Sequence, residues 1–278
     1  KEIIYLLDEA TDEILKFSLN DYKFLSSIKA VQNGYLTYCM QEIGGKIYLN
    51  RSSVSEKEKY ELREIDERNG KQVGKFLKSD DYNHGWNFPL SLEHSNFYSK
   101  NSQSPKYIGL FSNLIMNVTA DGVSAAYIVD SRKFVNKEEV LKMQGIAEGK
   151  LEKIDFSDIY SQKRIHQISR FIESPSKVFF QYLEGDERNY LVYDKASGKT
   201  KISSFFMDNY VSDKNMIPMD FCYSDERGIV ALLKPCFMPH FIKYIINGGK
   251  MRTHLDNYSR LIKLNKDSNP VLFFHEYK

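Results

Sequence analysis

Cysteine and tryptophan are scarce in this sequence, whose 278 residues include three cysteines and one tryptophan. The cysteines, Cys39, Cys222 and Cys236, are odd in number and form no C-x-x-C pair, which excludes a disulfide framework and a zinc site of that type. Each lies among apolar residues, so we predict three buried free thiols that pack as small hydrophobic side chains.

Net charge is also small, at +2 from 39 Lys and Arg against 37 Asp and Glu. Such a balance produces no field that would gather nucleic acid or an anionic membrane, so neither is predicted as a partner. No run approaches the ~18 apolar residues of a transmembrane segment, and no signal peptide is present. Because the chain begins at Lys1 inside a strand-like run, we expect a processed or trimmed product.

Aromatic residues are abundant, at 14 % of the chain with 19 Tyr and 18 Phe, which favours strands.

A recurring turn also indicates strands. It places Asp, two variable residues, a Thr, Asn or Ser and then Asp or Gly between strand-like runs, beginning at Asp8, Asp66 and Asp194. The Asp caps the amides ahead of it, and Asn69-Gly70 and Ser197-Gly198 supply a positive φ. We predict three β-hairpins, as copies of one repeat or as unrelated hairpins with the same turn chemistry.

Short strands recur along the rest of the chain at a spacing typical of sandwiches, barrels and propellers. Roughly twenty strands are too many for one sandwich, and self-similarity at a period of ~40–50 residues indicates propeller blades. We predict an all-β fold, a β-propeller of four-stranded blades with about five visible of six. Two short helical insertions are expected at 137–146 and 250–264, and the last strands at 241–245 and 271–277.

Several stretches resemble the six-bladed β-propeller proteins of gut Bacteroidetes, a family related in architecture to NHL and TolB-type propellers. The resemblance rests on 2–8 with 14–17, on 114–118 through 127–130, and on the ending 269–274. It covers most of the chain and implies an exported, often lipid-anchored protein of the periplasm or cell surface, with an undefined biochemical function. The family's Gly-rich N-terminal stretch has no counterpart here. We therefore expect a single propeller domain over 1–278 that lacks an N-terminal blade.

Catalytic motifs are missing from the sequence. It has no P-loop, no G-x-G-x-x-G after a strand, no G-x-S-x-G elbow and no H-E-x-x-H, and its six histidines lack metal-ligand spacing. The segment 79–83 concentrates oxygen ligands of the kind that calcium needs, but it lacks a D-x-D-x-D-G pattern, which favours a solvated turn. We therefore predict no catalytic residue, no metal site and no cofactor.

One loop-like segment between blades, 81–89, contains the single tryptophan of the chain. Aromatic rings beside amide and imidazole groups suit sugars or peptides, because they offer an apolar face with polar edges. Tyr82, His84 and Trp86 are therefore the predicted ligand-binding residues. The alternative is a tryptophan that fills a gap between two blades.

These observations favour an exported, non-enzymatic binding or scaffolding propeller that engages a glycan, a peptide or an envelope protein through loops at one face. The alternative is a propeller hydrolase or lyase whose calcium-type metal ligands converge in the central channel from different blades. The two hypotheses differ in whether convergent carboxylates hold an ion in that channel.

Overall fold

The computed structural model describes residues 2–8, 10–11, 13–29, 39–50, 59–82, 96–98, 104–146, 155–204, 220–224, 227–242, 258–261 and 263–276. Within these residues, the strands form five sheets in which consecutive strands are neighbours. Three sheets have four strands, and the first and the last have three. Successive antiparallel sheets of this kind are the blades of a β-propeller, which confirms the predicted all-β fold class. The count of six blades stays a prediction.

The strands are numbered in chain order. Blade 1 contains β1 (Ile3–Asp8), β2 (Glu13–Ser18) and β3 (Phe24–Lys29). Blade 2 contains β4 (Met40–Ile43), β5 (Lys46–Asn50), β6 (Tyr60–Asp66) and β7 (Gln72–Lys78). Blade 3 contains β8 (Asn96–Tyr98), β9 (Lys106–Ile108), β10 (Leu114–Thr119) and β11 (Gly122–Ile128). Blade 4 contains β12 (Ile165–Glu173), β13 (Lys177–Glu184), β14 (Glu187–Asp194) and β15 (Lys199–Ser203), and blade 5 contains β16 (Asp220–Ser224), β17 (Gly228–Leu233) and β18 (Val271–Glu276).

The helices within the described residues are short. They are α1 (Ser79–Tyr82), α2 (Lys137–Gln144), α3 (Phe156–Ser161), α4 (Met238–Phe241) and α5 (Tyr258–Leu261), with a 3₁₀ helix at Pro235–Phe237. None of these helices has the length and hydropathy that crossing a membrane requires. The chain divides into two compact units, Lys1–Ser169 with Tyr182–Asp186, and Arg170–Gln181 with Glu187–Lys278. Blades 1, 2 and 3 belong to the first unit and blade 5 to the second.

The three predicted Asp turns are confirmed as hairpins. In each, the Asp carboxylate accepts a backbone N–H, from Ala10 at 2.9 Å, from Arg68 at 2.8 Å and from Ser197 at 2.8 Å. Gly70 and Gly198 have φ values of 70° and 67°, and the N–H of each donates to the carbonyl of the Asp at 2.9 Å. Glycine adopts this left-handed conformation without a steric penalty, so Asn69-Gly70 and Ser197-Gly198 form the turns as predicted.

The Asp turns do not all occupy the same place in a blade. Those at Asp66 and Asp194 join the last two strands of blades 2 and 4, whereas the turn at Asp8 joins β1 to β2 in the three-stranded first blade. The shared residues therefore identify hairpins, and the blade boundaries follow from the order of the strands in each sheet.

Blades 1 and 2 pack through branched side chains and a sheltered ion pair. Ile14 of β2 and Ile47 of β5 are fully buried in one cluster. Beside them, the Lys16 ammonium donates to the Glu67 carbonyl at 2.6 Å and lies 3.1 Å from the Glu67 carboxylate. Glu67 begins the turn between β6 and β7, so the last hairpin of blade 2 is fixed against β2. Removing one partner would leave a sheltered charge without its counterion.

Blade 3 contacts blade 2 in the same manner. The Tyr48 hydroxyl donates to the Thr119 carbonyl at 2.9 Å, and the Lys46 ammonium donates to the Ala120 carbonyl at 2.8 Å. Lys46 also lies 2.8 Å from the Glu64 carboxylate. In both junctions the last hairpin turn of one blade accepts a lysine ammonium from the preceding blade. Charge-assisted hydrogen bonds therefore add direction to the apolar packing between blades.

The helix predicted at 137–146 is confirmed as α2. Asn136 caps its N-terminus, where the side chain accepts the Glu139 N–H at 3.2 Å. The buried Val140 and Leu141 pack against Phe111, which places the apolar edge of the helix on blade 3. Within the second predicted helix, 250–264, the structure contains α5, and residues 250–257 lie outside the described residues.

The strand expected at 241–245 is wrong where the structure describes it, because Phe241 ends α4. Pro235 begins a 3₁₀ helix that continues into α4, and proline is preorganised for the first position of a helix. Met238 and Phe241 then lie three residues apart on one helical face and pack against Phe273 of β18. The apolar run is therefore buried by a helical turn.

The prediction of three buried thiols is also wrong for two of them. Cys39 is buried, and its N–H donates to the Asn50 side chain at 2.8 Å. Cys222 and Cys236 are exposed. Cys222 lies on β16, and successive residues of a strand face opposite sides of the sheet. Apolar neighbours in sequence therefore do not establish that the residue between them is buried.

The Asp turns predict how stability responds to acid. Hydrogen bonds lower the pKa of each carboxyl below its ordinary value of 3.8, from the Thr11 hydroxyl at Asp8, the Arg68 guanidinium at Asp66 and the Ser197 amide at Asp194. Because the folded-state pKa is lowered, the charged form stabilises the fold above the unfolded-state pKa, and this contribution is lost as pH falls through the folded-state pKa. We expect the urea midpoint to fall between about pH 5 and about pH 2.

A triple variant measures the share of the turns in this response. Asp8→Asn, Asp66→Asn and Asp194→Asn together keep an acceptor in each turn but remove the titrating group. The urea midpoint of this variant should depend less on pH than that of the wild type. Asp267→Asn, at an exposed Asp outside these turns, should keep the wild-type dependence. Equal pH dependence in the wild type and the triple variant would assign the acid response to other groups.

Candidate functional site

The predicted ligand-binding residues belong to the connection that leaves blade 2. Tyr82 is the last residue of α1, which follows β7 directly, and its side chain is 2 % exposed. His84 and Trp86 lie outside the described residues, so the ligand-binding role of the three residues stays a prediction. Tyr82 itself faces the protein interior and anchors the start of the connection.

Blade 3 binds Tyr82 through both its side chain and its backbone. The Gly109 N–H donates to the phenol oxygen at 2.8 Å, and the Ser112 hydroxyl donates to the Tyr82 carbonyl at 3.1 Å. The Tyr82 ring lies in one buried cluster with Phe97 and Tyr107 of blade 3. The chain therefore enters the 83–95 connection from a position fixed at the junction of two blades.

A carboxylate–phenol pair lies beside this anchor. The Tyr107 hydroxyl donates to Glu61 at 2.8 Å. The Glu61 carboxylate packs against Gly109 so closely that a Cβ added there would lie 2.8 Å from Oε2. Burial raises the pKa of Tyr82 and of Tyr107 well above 10.0, and the negative charge of Glu61 adds to the effect. Both phenols therefore stay protonated at neutral pH and serve as fixed hydrogen-bonding groups.

Polar contacts also join strands β6 and β7 of blade 2 at this end of the sheet. The Ser79 N–H donates to the Lys59 carbonyl at 2.7 Å, which connects the end of β7 to the start of β6. The Asp80 carboxylate lies 3.4 Å from the Lys59 ammonium and 3.5 Å from the Lys78 ammonium. One carboxylate of the segment considered for calcium is thus paired with two lysines. In the part of the chain that the structure describes, no three His, Cys, Asp or Glu side chains form a group that could hold a metal.

Strand direction brings further connections to the same end of these blades. In an antiparallel four-stranded sheet, the second and fourth strands end where the first and third begin. Tyr82 follows the fourth strand of blade 2, and 109–113 follow the second strand of blade 3. The candidate site is therefore the end of blades 2 and 3 from which the 83–95 connection starts.

His166 has a structural role in the first unit. Its Nε2 lies 3.1 Å from the Gly185 carbonyl, and its ring centroid lies 4.6 Å from that of Tyr160. Its own carbonyl accepts the Phe111 N–H at 3.2 Å. The imidazole is buried and contacts α3 and the turn between β13 and β14, which accounts for its presence without a catalytic role.

Local composition led to the prediction of a ligand-binding connection but did not point to the residues that hold Tyr82 at its start. Glu61, Tyr107 and Ser112 lie on different strands and turns, and no short sequence spacing unites them. The usable signal is an alignment of the blades. Tyr48 and Tyr107 both lie on the second strand of a blade, and both are fully buried. Such an alignment would have marked Tyr107 as a core residue.

Comparison with known proteins adds a family and two structural likenesses. The sequence profile of a domain of unknown function, DUF4934, matches residues 1–276. A crystal structure from Bacteroides fragilis NCTC 9343, of a protein described as exported, covers 100 % of this chain and 75 % of its own, with a TM-score of 0.73 and 16 % identity. The structure of a member of the DUF4221 family from Bacteroides vulgatus matches over 99 % of this chain and 75 % of its own length, with a TM-score of 0.50 and 8 % identity. No curated protein matches the sequence. At these identities the likenesses concern the fold alone.

Proposed function

The chain belongs to the DUF4934 family, and we propose that it is an exported binding module of the periplasm or cell surface. It engages a glycan, a peptide or a partner protein through the 83–95 connection and does not transform its ligand. The propeller of Bacteroides fragilis that is described as exported supports the compartment, as a protein of the same fold.

The anchoring of Tyr82 is the observation that carries this proposal. Trp86 follows four residues after a phenol that is buried and hydrogen-bonded to blade 3. Binding sites are commonly placed on loops that a rigid scaffold supports, and Tyr82 provides such support at the start of this connection. The sequence 83–87 beyond this anchor contains indole, imidazole and amide groups, which are the types that bind a ligand with apolar faces and polar edges.

The groups described around the anchor suit binding better than acid–base chemistry. The Tyr82 and Tyr107 phenols have raised pKa values and keep their protons at neutral pH. The Asp80 carboxylate is paired with the Lys59 and Lys78 ammonium groups. A general acid or base needs a pKa near the working pH, and these phenols are shifted away from it.

The single tryptophan makes the connection directly observable. Tryptophan emission in this protein comes from Trp86 alone, so a ligand that contacts the connection should change that emission during titration with glycan and peptide panels. Trp86→Ala should weaken binding of the selected ligand by about tenfold or more, as expected for a central aromatic contact. Thermal unfolding of the variant should stay close to that of the wild type.

Two controls complete this test. Phe274→Ala removes an aromatic ring from a side chain that is 73 % exposed on β18, and it should leave the affinity unchanged. His84→Ala should weaken binding less than Trp86→Ala, because it removes a smaller contact surface. An affinity that Trp86→Ala leaves unchanged would remove the 83–95 connection from the proposal. Formation of shortened saccharide or peptide products would instead favour a hydrolase or lyase.

A further inference from the structure

The turn that follows β2 exposes an unusual concentration of large apolar side chains. Tyr22 is 70 % exposed, Phe24 58 %, Leu25 50 % and Leu19 40 %, all within the seven residues 19–25. Phe24 and Leu25 are adjacent on β3 and therefore face opposite sides of its sheet, which leaves Leu19, Tyr22 and Phe24 as the exposed group at the β2–β3 turn. Grouped exposed apolar side chains mark interaction sites more often than single ones do. We call this segment the aromatic turn.

The aromatic turn is held in one conformation by its own hydrogen bonds. The Ser18 N–H donates to the Lys23 carbonyl and the Tyr22 N–H donates to the Ser18 carbonyl, both at 2.9 Å. The Lys23 ammonium lies 2.9 Å from the Asp21 carboxylate. The Phe24 ring packs edge-to-face on Phe17, with ring centroids 5.7 Å apart. The backbone of the turn and the Phe24 ring therefore have little motion to lose when a ligand binds.

Backbone strain accompanies this exposure. Tyr22 has a φ of 55°, in the left-handed region that bulky L-residues avoid and that glycine or asparagine would occupy more readily. Strained residues of this kind persist where the surrounding structure enforces them, and they concentrate at binding and catalytic sites. The turn thus presents a phenol to solvent at a cost to stability.

The aromatic turn lies at the same end of its blade as the Tyr82 connection does in blade 2. A Cβ added to Gly70 would lie 2.8 Å from the Lys29 carbonyl, so the β6–β7 turn approaches the C-terminal end of β3. The aromatic turn is at the opposite end of β3, and Tyr82 is at the opposite end of β7 from that β6–β7 turn. Tyr82 and the aromatic turn therefore lie at the same end of their blades in the first unit.

The chemistry of the turn indicates its ligand. Tyr22 and Phe24 offer flat apolar surfaces, and Asn20, Asp21 and Lys23 supply donors and acceptors beside them. The opposite charges of Asp21 and Lys23 cancel, which disfavours nucleic acid and anionic membranes and suits an uncharged ligand with apolar faces and hydroxyl edges. We propose that the aromatic turn is a saccharide-binding platform. This inference rests on the proposed function, and it narrows the ligand to a glycan.

Electrophoresis through native gels that contain a soluble polysaccharide tests this inference on the whole chain. Xylan, galactomannan and mixed-linkage glucan serve as the probes. The wild type should be retarded in at least one gel. Tyr22→Gly should lose at least tenfold in affinity for that polysaccharide while keeping or raising the melting temperature, because glycine accepts the left-handed φ. Phe24→Ala should also lose retardation, and Phe274→Ala, at a comparably exposed ring on β18, should retain it.

Each outcome separates this inference from the proposed function. Equal retardation of the wild type and Tyr22→Gly overturns the platform, and loss of retardation in Trp86→Ala alone would leave the proposed function intact. A wild type that no probe retards, yet whose Trp86 emission responds to a peptide, overturns the saccharide assignment only. Self-association of the wild type that Tyr22→Gly abolishes would assign the turn to a second copy of the chain and likewise overturn the platform.

Discussion

Tyr107→Ala is expected to lower the free energy of unfolding by about 3–5 kcal/mol, the range for removing a large aromatic side chain from a packed core. Tyr107 is fully buried between Phe97 and the anchor residue Tyr82. Its hydroxyl also donates to Glu61 at 2.8 Å, so the variant loses a hydrogen bond to a charged acceptor together with its packing. The change is a large part of the stability of a typical domain and should be clear in urea denaturation.

Two further variants divide this effect into its parts. Tyr107→Phe keeps the ring and removes only the donor to Glu61, so we expect a loss of about 1.5–3 kcal/mol. Phe274→Ala truncates a ring that is mostly exposed and should change stability by about 0.5 kcal/mol or less. If Tyr107→Ala were no more destabilising than Phe274→Ala, the cluster around Tyr82 would not be the core that fixes the connection.

This experiment also bears on the candidate site. Tyr107 packs beside Tyr82. Tyr82 lies directly before the 83–95 connection and four residues before Trp86. A loosened cluster should therefore make the start of the connection less fixed and weaken ligand binding even though Tyr107 is buried away from solvent. Trp86→Ala and Tyr107→Ala would reduce affinity for different reasons, and only Tyr107→Ala should also reduce stability.

The features predicted well from the sequence are those set by neighbouring residues. The Asp turns depend on an Asp carboxylate, followed in two of the three by a glycine four residues on, and all three are hairpins. The N-cap of α2 depends on Asn136 and Glu139, which are three residues apart. Repetition of such local signals was sufficient to predict a propeller of four-stranded blades, because each blade is made of consecutive hairpins.

Features that depend on distant contacts were not predicted. Tyr82 was predicted as a ligand contact from the composition of the segment 81–89. Its environment is set by Gly109 and Ser112, which are more than twenty residues away in sequence. The run at 241–245 has the apolar character of a strand, but Pro235 and the contact of Met238 with Phe273 favour a helix that includes Phe241. Tertiary packing decides such cases, and it is not encoded in local residue patterns.

Gly185→Ala is expected to destabilise the protein by about 2–4 kcal/mol, combining a backbone cost with a steric one. Gly185 lies in the turn between β13 and β14 with a φ of 59°, which alanine adopts only with strain. A Cβ at this position would lie 2.9 Å from the Tyr160 carbonyl and 3.2 Å from the Gln162 carbonyl. Both oxygens belong to the backbone around the end of α3, so relief requires the helix to move away from the turn.

Gly198→Ala is the matched control, because it shares one of these two costs. Gly198 has a φ of 67° in the turn between β14 and β15, and a Cβ added there would meet no atom within 4 Å. Its alanine variant should therefore cost only the left-handed backbone energy, about 1 kcal/mol. The difference between the two urea denaturation curves isolates the close approach of α3 to blade 4. Equal losses would mean that α3 shifts freely, and the buried contact of His166 with Tyr160 would then contribute little to holding that helix in place.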